Sequence, residues 1–250
     1  MIILLSPAKT MNLVDAIPNK YPIHKPFFNK NANNLINLLK NMESDDLKHV
    51  MNLSEKLLIK VQLILNNFSG DLQNSRQAIF AYRGAVFKGL DSLSLNKKQI
   101  QFSQNKIRIL SGLYGVLKPL DGIEEYRLDM KTILKTIHSN NLYNYWNELI
   151  TNYFSIYTNK EFLINLASNE YSKVINFSKL KASKIDIAFG EISNKKIKYP
   201  PIYSKMARGK MAGYIVRKMI SSPEKLKKFN LDGYTFNSEY SNSNYFLFTR

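Results

Sequence analysis

The sequence predicts an α/β (mixed α+β) fold, one domain over residues 1–250 with a central, mostly buried mixed sheet surrounded by helices. Three observations lead there. Short apolar runs bounded by turn residues recur along the chain, as buried strands do. Stretches of helical periodicity are interleaved with them rather than segregated. No low-complexity linker divides the 250 residues, 44 % of which are apolar, so the chain is long enough for one sizeable core.

The elements follow in order. Ile2 to Leu5, closed by Ser6-Pro7, reads as a buried first strand feeding a loop that carries Lys9 and Thr10. Residues 15–28 hold three prolines among aromatics and read as an irregular crossing segment. Leu35, Leu38, Leu39 and Met42 mark a first helix, and Leu57 through Leu65, opened by Ser54-Glu55, a second. The residues between them, Asp45 to Leu53, read as a short link. A third helix is expected from Ser75 to Leu90, with Arg83 on its apolar side and a tail, Gly84 to Gly89, that tolerates another backbone nearby.

Lys106 to Leu110 alternates as a second central strand and runs into Ser111-Gly112-Leu113-Tyr114-Gly115. A helix from Leu142 to Ile156 precedes two strand candidates, Phe162 to Leu166 and Lys173 to Asn176, joined through Ala167-Ser168-Asn169-Glu170. Ile185 to Phe189 and Ile192 to Lys198 read as a hairpin turning near Gly190. A helix from Lys205 to Ile220 and a strand from Tyr245 to Thr249 complete the order.

Charge and composition bound the function. There are 36 Lys and Arg against 19 Asp and Glu, a formal net charge of +17, which raises the local concentration of polyanions and favours phosphate contacts. There is no cysteine, which removes thiol peroxidase chemistry, thiolate zinc and cysteine-ligated clusters. His24, His49 and His138 are far apart and fit no metal spacing, so neither a metal nor a cofactor is expected. No run of about 18 apolar residues exists to cross a membrane, and the opening residues lack a signal-peptide pattern; a cytoplasmic monomer is expected.

Most lysines, among them Lys97, Lys98, Lys179, Lys181, Lys184, Lys195, Lys196, Lys225, Lys227 and Lys228, sit in polar runs and read as solvated surface. Arg208 is different. It lies four residues before Ala212 and seven before Ile215, on the apolar stripe of its helix, where an arginine costs desolvation unless paired or facing a polar cleft. Lys205 extends the same line, while Lys210, Tyr214 and Arg217 take the opposite face. Arg127 sits among Glu124, Glu125 and Asp129, which are obvious ion-pair partners.

In an open α/β sheet the loops beyond the strand carboxyl ends converge on the binding crevice. Lys9, Ser111, Gly112, Tyr114, Lys118, Ser168, Asn169, Glu170, Lys205 and Arg208 are candidates to share it. Lys9 with Asp121, Glu124 or Glu170 forms an acid–base set if the fold brings them together. No dinucleotide fingerprint, P-loop, G-x-S-x-G elbow or His-Glu-x-x-His motif occurs.

Several stretches carry a family resemblance. Ser6-Pro7-Ala8-Lys9-Thr10, Gly84-x-Val86-Phe87-x-Gly89-Leu90, the run from Arg108 to Met130, Asn165 to Tyr171, Tyr203 to Gly209 and Phe229 to Asn237 occur in order across nearly the whole chain. Together they resemble the YaaA family of bacterial peroxide-stress proteins. Two departures keep polarity: Asn169, where the family often has Asp, and Asp129, where it often has Glu. The resemblance implies a cytosolic protein that helps cells survive hydrogen peroxide, is associated with low free iron and binds double-stranded DNA. It also implies a compact α/β fold with a basic cleft and a helix-hairpin-helix element, placed either around Leu35 to Asn67 or near Gly112 to Asp129.

Two accounts follow. In the first the protein is a noncatalytic binder of double-stranded DNA, its phosphate contacts drawn from Lys9, Arg83, Lys88, Lys118, Lys205, Arg208, Lys210 and Arg217. In the second it is an enzyme acting on a nucleotide, nucleic acid or phosphorylated metabolite through Lys9, Ser168, Glu170 and Arg208.

Overall fold

A computed structural model describes residues 1–17, 19–158, 161–193 and 196–250. Lys195, read above as solvated surface, lies outside the described residues.

The chain begins with β1 (Ile2–Leu5), every residue of which is buried. Three helices follow, α1 (Asn29–Lys40), α2 (Ser44–Met51) and α3 (Glu55–Asn67). The expected link at 45–53 is therefore itself helical for most of its length, led by Asp45 and Asp46 in the first turn, where carboxylates suit the helix dipole. Next come α4 (Ala85–Leu90), α5 (Lys97–Lys106), β2 (Ile107–Ser111) and β3 (Gly115–Leu117). A capping box of Asn96 and Gln99 starts α5. The remainder is α6 (Leu142–Tyr157), β4 (Phe162–Asn165), β5 (Ser183–Ser193), β6 (Lys196–Lys198), α7 (Pro201–Arg217), β7 (Thr235–Phe236) and β8 (Tyr245–Thr249).

One sheet runs in the order β7-β8-β5-β4-β1-β2-β3, with β6 paired onto β5. β8, β5, β4, β1 and β2 are parallel to their neighbours, and the edge pairings β7–β8, β5–β6 and β2–β3 are antiparallel. From β1 the chain proceeds to β2 on one side; from β4 it proceeds to β5 and then β8 on the other. The adjacent strands β1 and β4 thus flank a topological switch point, where an open α/β sheet leaves a crevice at its carboxyl edge.

Four local expectations are corrected. Residues 75–90 are not one helix. Arg76–Gln77 and Tyr82–Arg83 are short extended bridges around a single turn, Ala78–Ala81, and Gly84 at φ +122° separates them from α4. Arg83 therefore pairs with Thr10 across a two-stranded ribbon rather than lying on a helix face. Residues 173–176 are not a strand but follow the helical turn Asn169–Ser172. Gly190 is not the hairpin turn, because β5 continues through it to Ser193.

Candidate functional site

The loops after β1 and β4 meet directly. The Ser168 backbone N–H donates to Ser6 Oγ at 2.8 Å, and the Ser6 hydroxyl donates to Ser168 Oγ at 3.2 Å. Above this pair opens a cavity of about 330 Å³. Four other segments enclose it: Lys9–Thr10, Arg83–Val86, Tyr126–Asp129, and the first turns of α7 with Lys205 and Arg208.

Glycine contacts set the approach of α7. A Cβ on Gly209 would stand 2.8 Å from the Val86 carbonyl carbon and 3.0 Å from Gly89 Cα, and one on Gly89 would stand 2.8 Å from the Lys210 nitrogen. Only with hydrogen at these positions can α4 and α7 cross so closely. That crossing brings the N-terminal end of α4 and the Arg208 turn of α7 to the same cavity.

Five cationic side chains line the cavity, Lys9, Arg83, Arg127, Lys205 and Arg208, against two carboxylates, Asp129 and Glu170. Lys9 Nζ lies 2.6 Å from Asp129 Oδ2. Arg83 reaches Asp15 at 3.2 Å and donates to the Phe80 carbonyl at 2.7 Å. The acids nearest Arg127 in sequence have other partners: Glu125 faces Lys60 at 3.5 Å, Asp129 faces Lys9, and Glu124 accepts from the Ser69 and Gly70 amides at 2.7 and 2.8 Å. Arg208 Nε and Glu170 Oε1 are shut off from solvent with no hydrogen-bond partner. Burial pulls the Arg208 pKa below its ordinary value.

A phenol network forms the inner wall. Tyr126 Oη lies 2.6 Å from Tyr82 Oη and 2.7 Å from Ser111 Oγ. Burial pushes Tyr126 up to about 12 and raises Tyr82 and Tyr171 well above the usual phenol range. These rings are neutral donors and acceptors at physiological pH.

The sequence candidates divide accordingly. Lys9, Ser168, Glu170, Lys205 and Arg208 converge on the cavity, with Arg83 at its wall. Lys88 is exposed on α4, and Asn169 is exposed outside the lining. Ser111 and Tyr114 are fully buried. Lys118 stands at the other end of the sheet, because β3 runs antiparallel to β2 and Leu117 returns the chain to the level of Ile109. It shares a separate hollow with His24 and Asp121, and neither Asp121 nor Glu124, the latter bonded to the Ser69 and Gly70 amides, lines the cavity of Lys9.

The outer face of α7 is occupied rather than free. Lys210 Nζ meets Asp232 at 2.5 Å, and the Tyr214 ring packs edge-on to Phe229. Arg217 Nη2 donates to Asp91 at 3.0 Å, to the Leu90 carbonyl at 3.2 Å and to Ser94 at 2.8 Å, which caps the C-terminal end of α4.

Sequence reasoning missed Ser6 as a site residue and singled out Tyr126 only as one of four aromatics, with Tyr82, Phe87 and Tyr114, that could stack on bases or pack in the core. The signal for Ser6 was its position directly after the first strand of a parallel sheet. The hydroxyl network of Tyr126 had no local signal, because its partners Tyr82 and Ser111 lie elsewhere along the chain. Among the described residues, no cluster of three or more His, Asp or Glu side chains fits a metal ion, and no helix is long and apolar enough to cross a membrane.

Comparison with known proteins bears on the identity of the chain. A family model described as "Peroxide stress protein YaaA" matches residues 1–240. A "UPF0246 protein" of Francisella philomiragia is 43 % identical over a 256-residue alignment that covers all of both chains. A "UPF0246 protein" of Francisella tularensis subsp. novicida is 42 % identical over 257 residues, again covering both chains fully. On this end-to-end likeness, the chain belongs to the peroxide stress protein YaaA family, whose name indicates a role in peroxide stress.

Proposed function

We propose that this protein serves the peroxide-stress response by binding double-stranded DNA through phosphate contacts with little sequence preference, and so limits oxidative, iron-linked damage to it. The observation that carries the reading is the surplus of 36 basic over 19 acidic side chains. Exposed Lys205 lines a cavity rich in cations, and exposed Lys88 lies on α4, whose N-terminal residues Ala85 and Val86 line it. Such charges neutralise phosphates without reading bases. A chain without cysteine cannot reduce peroxide through a thiol, which favours protection by binding over direct scavenging.

The test is duplex affinity at 50 and 200 mM salt. Neutralising about three phosphates weakens binding at least tenfold over that range. No binding at 50 mM, or equal affinity at both concentrations, overturns the reading.

A second reading, an enzyme acting on a nucleotide, nucleic acid or phosphorylated metabolite, is favoured by one observation. Lys9, Ser168, Glu170 and Arg208 line a single cavity at the switch point, whereas coating a duplex needs only surface charge. Its test is product formation from phosphorylated compounds, followed by mass spectrometry. Turnover that survives unchanged in Glu170→Gln and Arg208→Lys would assign the chemistry elsewhere.

A further inference from the structure

We infer that the switch-point cavity binds a small phosphorylated metabolite that also carries an amino group. The inference rests on the second reading above for the site, but it requires binding only, not turnover.

Two unmet groups of opposite sign define the ligand. Eight buried side-chain polar atoms lack a hydrogen-bond partner among the described residues, and two of them, Arg208 Nε and Glu170 Oε1, belong to side chains that line this one cavity. A buried donor or acceptor left unpaired is costly, more so when it is charged, and here a cation and an anion stand unmet together. A ligand carrying only an anion would satisfy Arg208 and be repelled by Glu170. A ligand carrying only a cation would do the reverse. One molecule with an anionic group and an N–H donor satisfies both.

The balance of charge selects the anion. Lys9 and Arg83 have acidic partners, which leaves Arg127, Lys205 and Arg208 to face Glu170. That excess suits a doubly charged phosphate better than a carboxylate, and a guanidinium offers the forked geometry that phosphate oxygens accept. The serine pair adds a further donor. Ser6 Oγ already receives the Ser168 amide and gives its proton to Ser168 Oγ, so the Ser168 hydroxyl proton is left to point toward a ligand. Duplex DNA does not meet these requirements, because its accessible backbone offers Glu170 only more negative charge.

The volume of about 330 Å³ lies at the lower end of ligand pockets, which fits a compound between an aminoalkyl phosphate and a mononucleotide. Calorimetric titration of the full chain with O-phosphoethanolamine, AMP and inorganic phosphate tests the inference. One or both amino-bearing compounds should bind at least tenfold more tightly than inorganic phosphate. Arg208→Lys should weaken that binding tenfold or more. Glu170→Gln should reduce the preference over phosphate to threefold or less.

Thermal melting confirms that each variant is folded, and the isosteric Glu170→Gln carries the test by itself should Arg208→Lys fail to fold. Equal affinity for all three compounds, no binding of either amino-bearing compound at millimolar concentration, or an unchanged preference in Glu170→Gln overturns the inference. Binding without conversion leaves it standing and removes the enzymatic reading.

Discussion

Gly209 lies so close to α4 that a Cβ on it would approach within 2.8 Å of the Val86 carbonyl carbon. Neither partner can yield cheaply, since the obstructing atoms are backbone. Gly209→Ala should therefore destabilise the protein by about 3 kcal/mol, at the upper end of overpacking costs. Urea denaturation measures this, and a change below 1 kcal/mol would mean that the two helices slide apart freely.

The ion pair of Lys9 with Asp129 holds one cavity cation in check. Lys9 is more than half exposed, so Asp129→Asn should change stability by no more than about 1 kcal/mol. Under the DNA-binding reading it should raise duplex affinity at 50 mM salt about threefold by freeing a positive charge. Fluorescence anisotropy reads this directly, and weaker binding would contradict the predicted sign.

Arg217 and Lys88 should separate structural from phosphate-binding charge. Loss of the Arg217 contacts to Asp91, Leu90 and Ser94 should cost about 1–2 kcal/mol in Arg217→Ala, with the salt slope of duplex binding unchanged. Lys88→Ala should leave stability unaltered and reduce that slope by about 1. The opposite pattern would exchange their assignments.

Asp121 provides a pH test. Burial pushes its carboxyl up to about 6, against the lowering pull of the Lys118 amide bonded to it at 2.8 Å. A carboxyl that holds its proton more tightly when folded stabilises the fold fully below its unfolded pKa of about 4, and that contribution is lost as pH rises through the folded value. Between pH 4 and 7 the protein should lose about 2–3 kcal/mol relative to Asp121→Asn. Urea titrations of both proteins at the two pH values would show it, and parallel pH profiles would exclude it.

Legibility in the sequence followed the range of the governing interactions. The strand at Tyr245–Thr249 and the helix from Leu142 were readable because their side-chain periodicity is local and unopposed. Arg208 was placed correctly on a half-buried face for the same reason. Residues 75–90 were not readable, because ribbon pairing of Arg83 with Thr10 and the positive φ of Gly84 override a helical pattern. Lys118 was misplaced because a tight turn at Gly115, φ +65°, reverses the chain after β2. The isolation of Glu170 and Arg208 from partners, on which the ligand argument depends, is a property of the assembled cavity and has no sequence signature.

The serine pair that floors the cavity joins residues 162 positions apart, and Arg208 follows forty residues later. A nascent chain thus carries no complete site until four-fifths of it has been synthesised and β1 has found β4. Ligand capture is a late event in the life of each molecule, and it reports completion of the central sheet. Truncated or half-folded chains would circulate without sequestering the ligand.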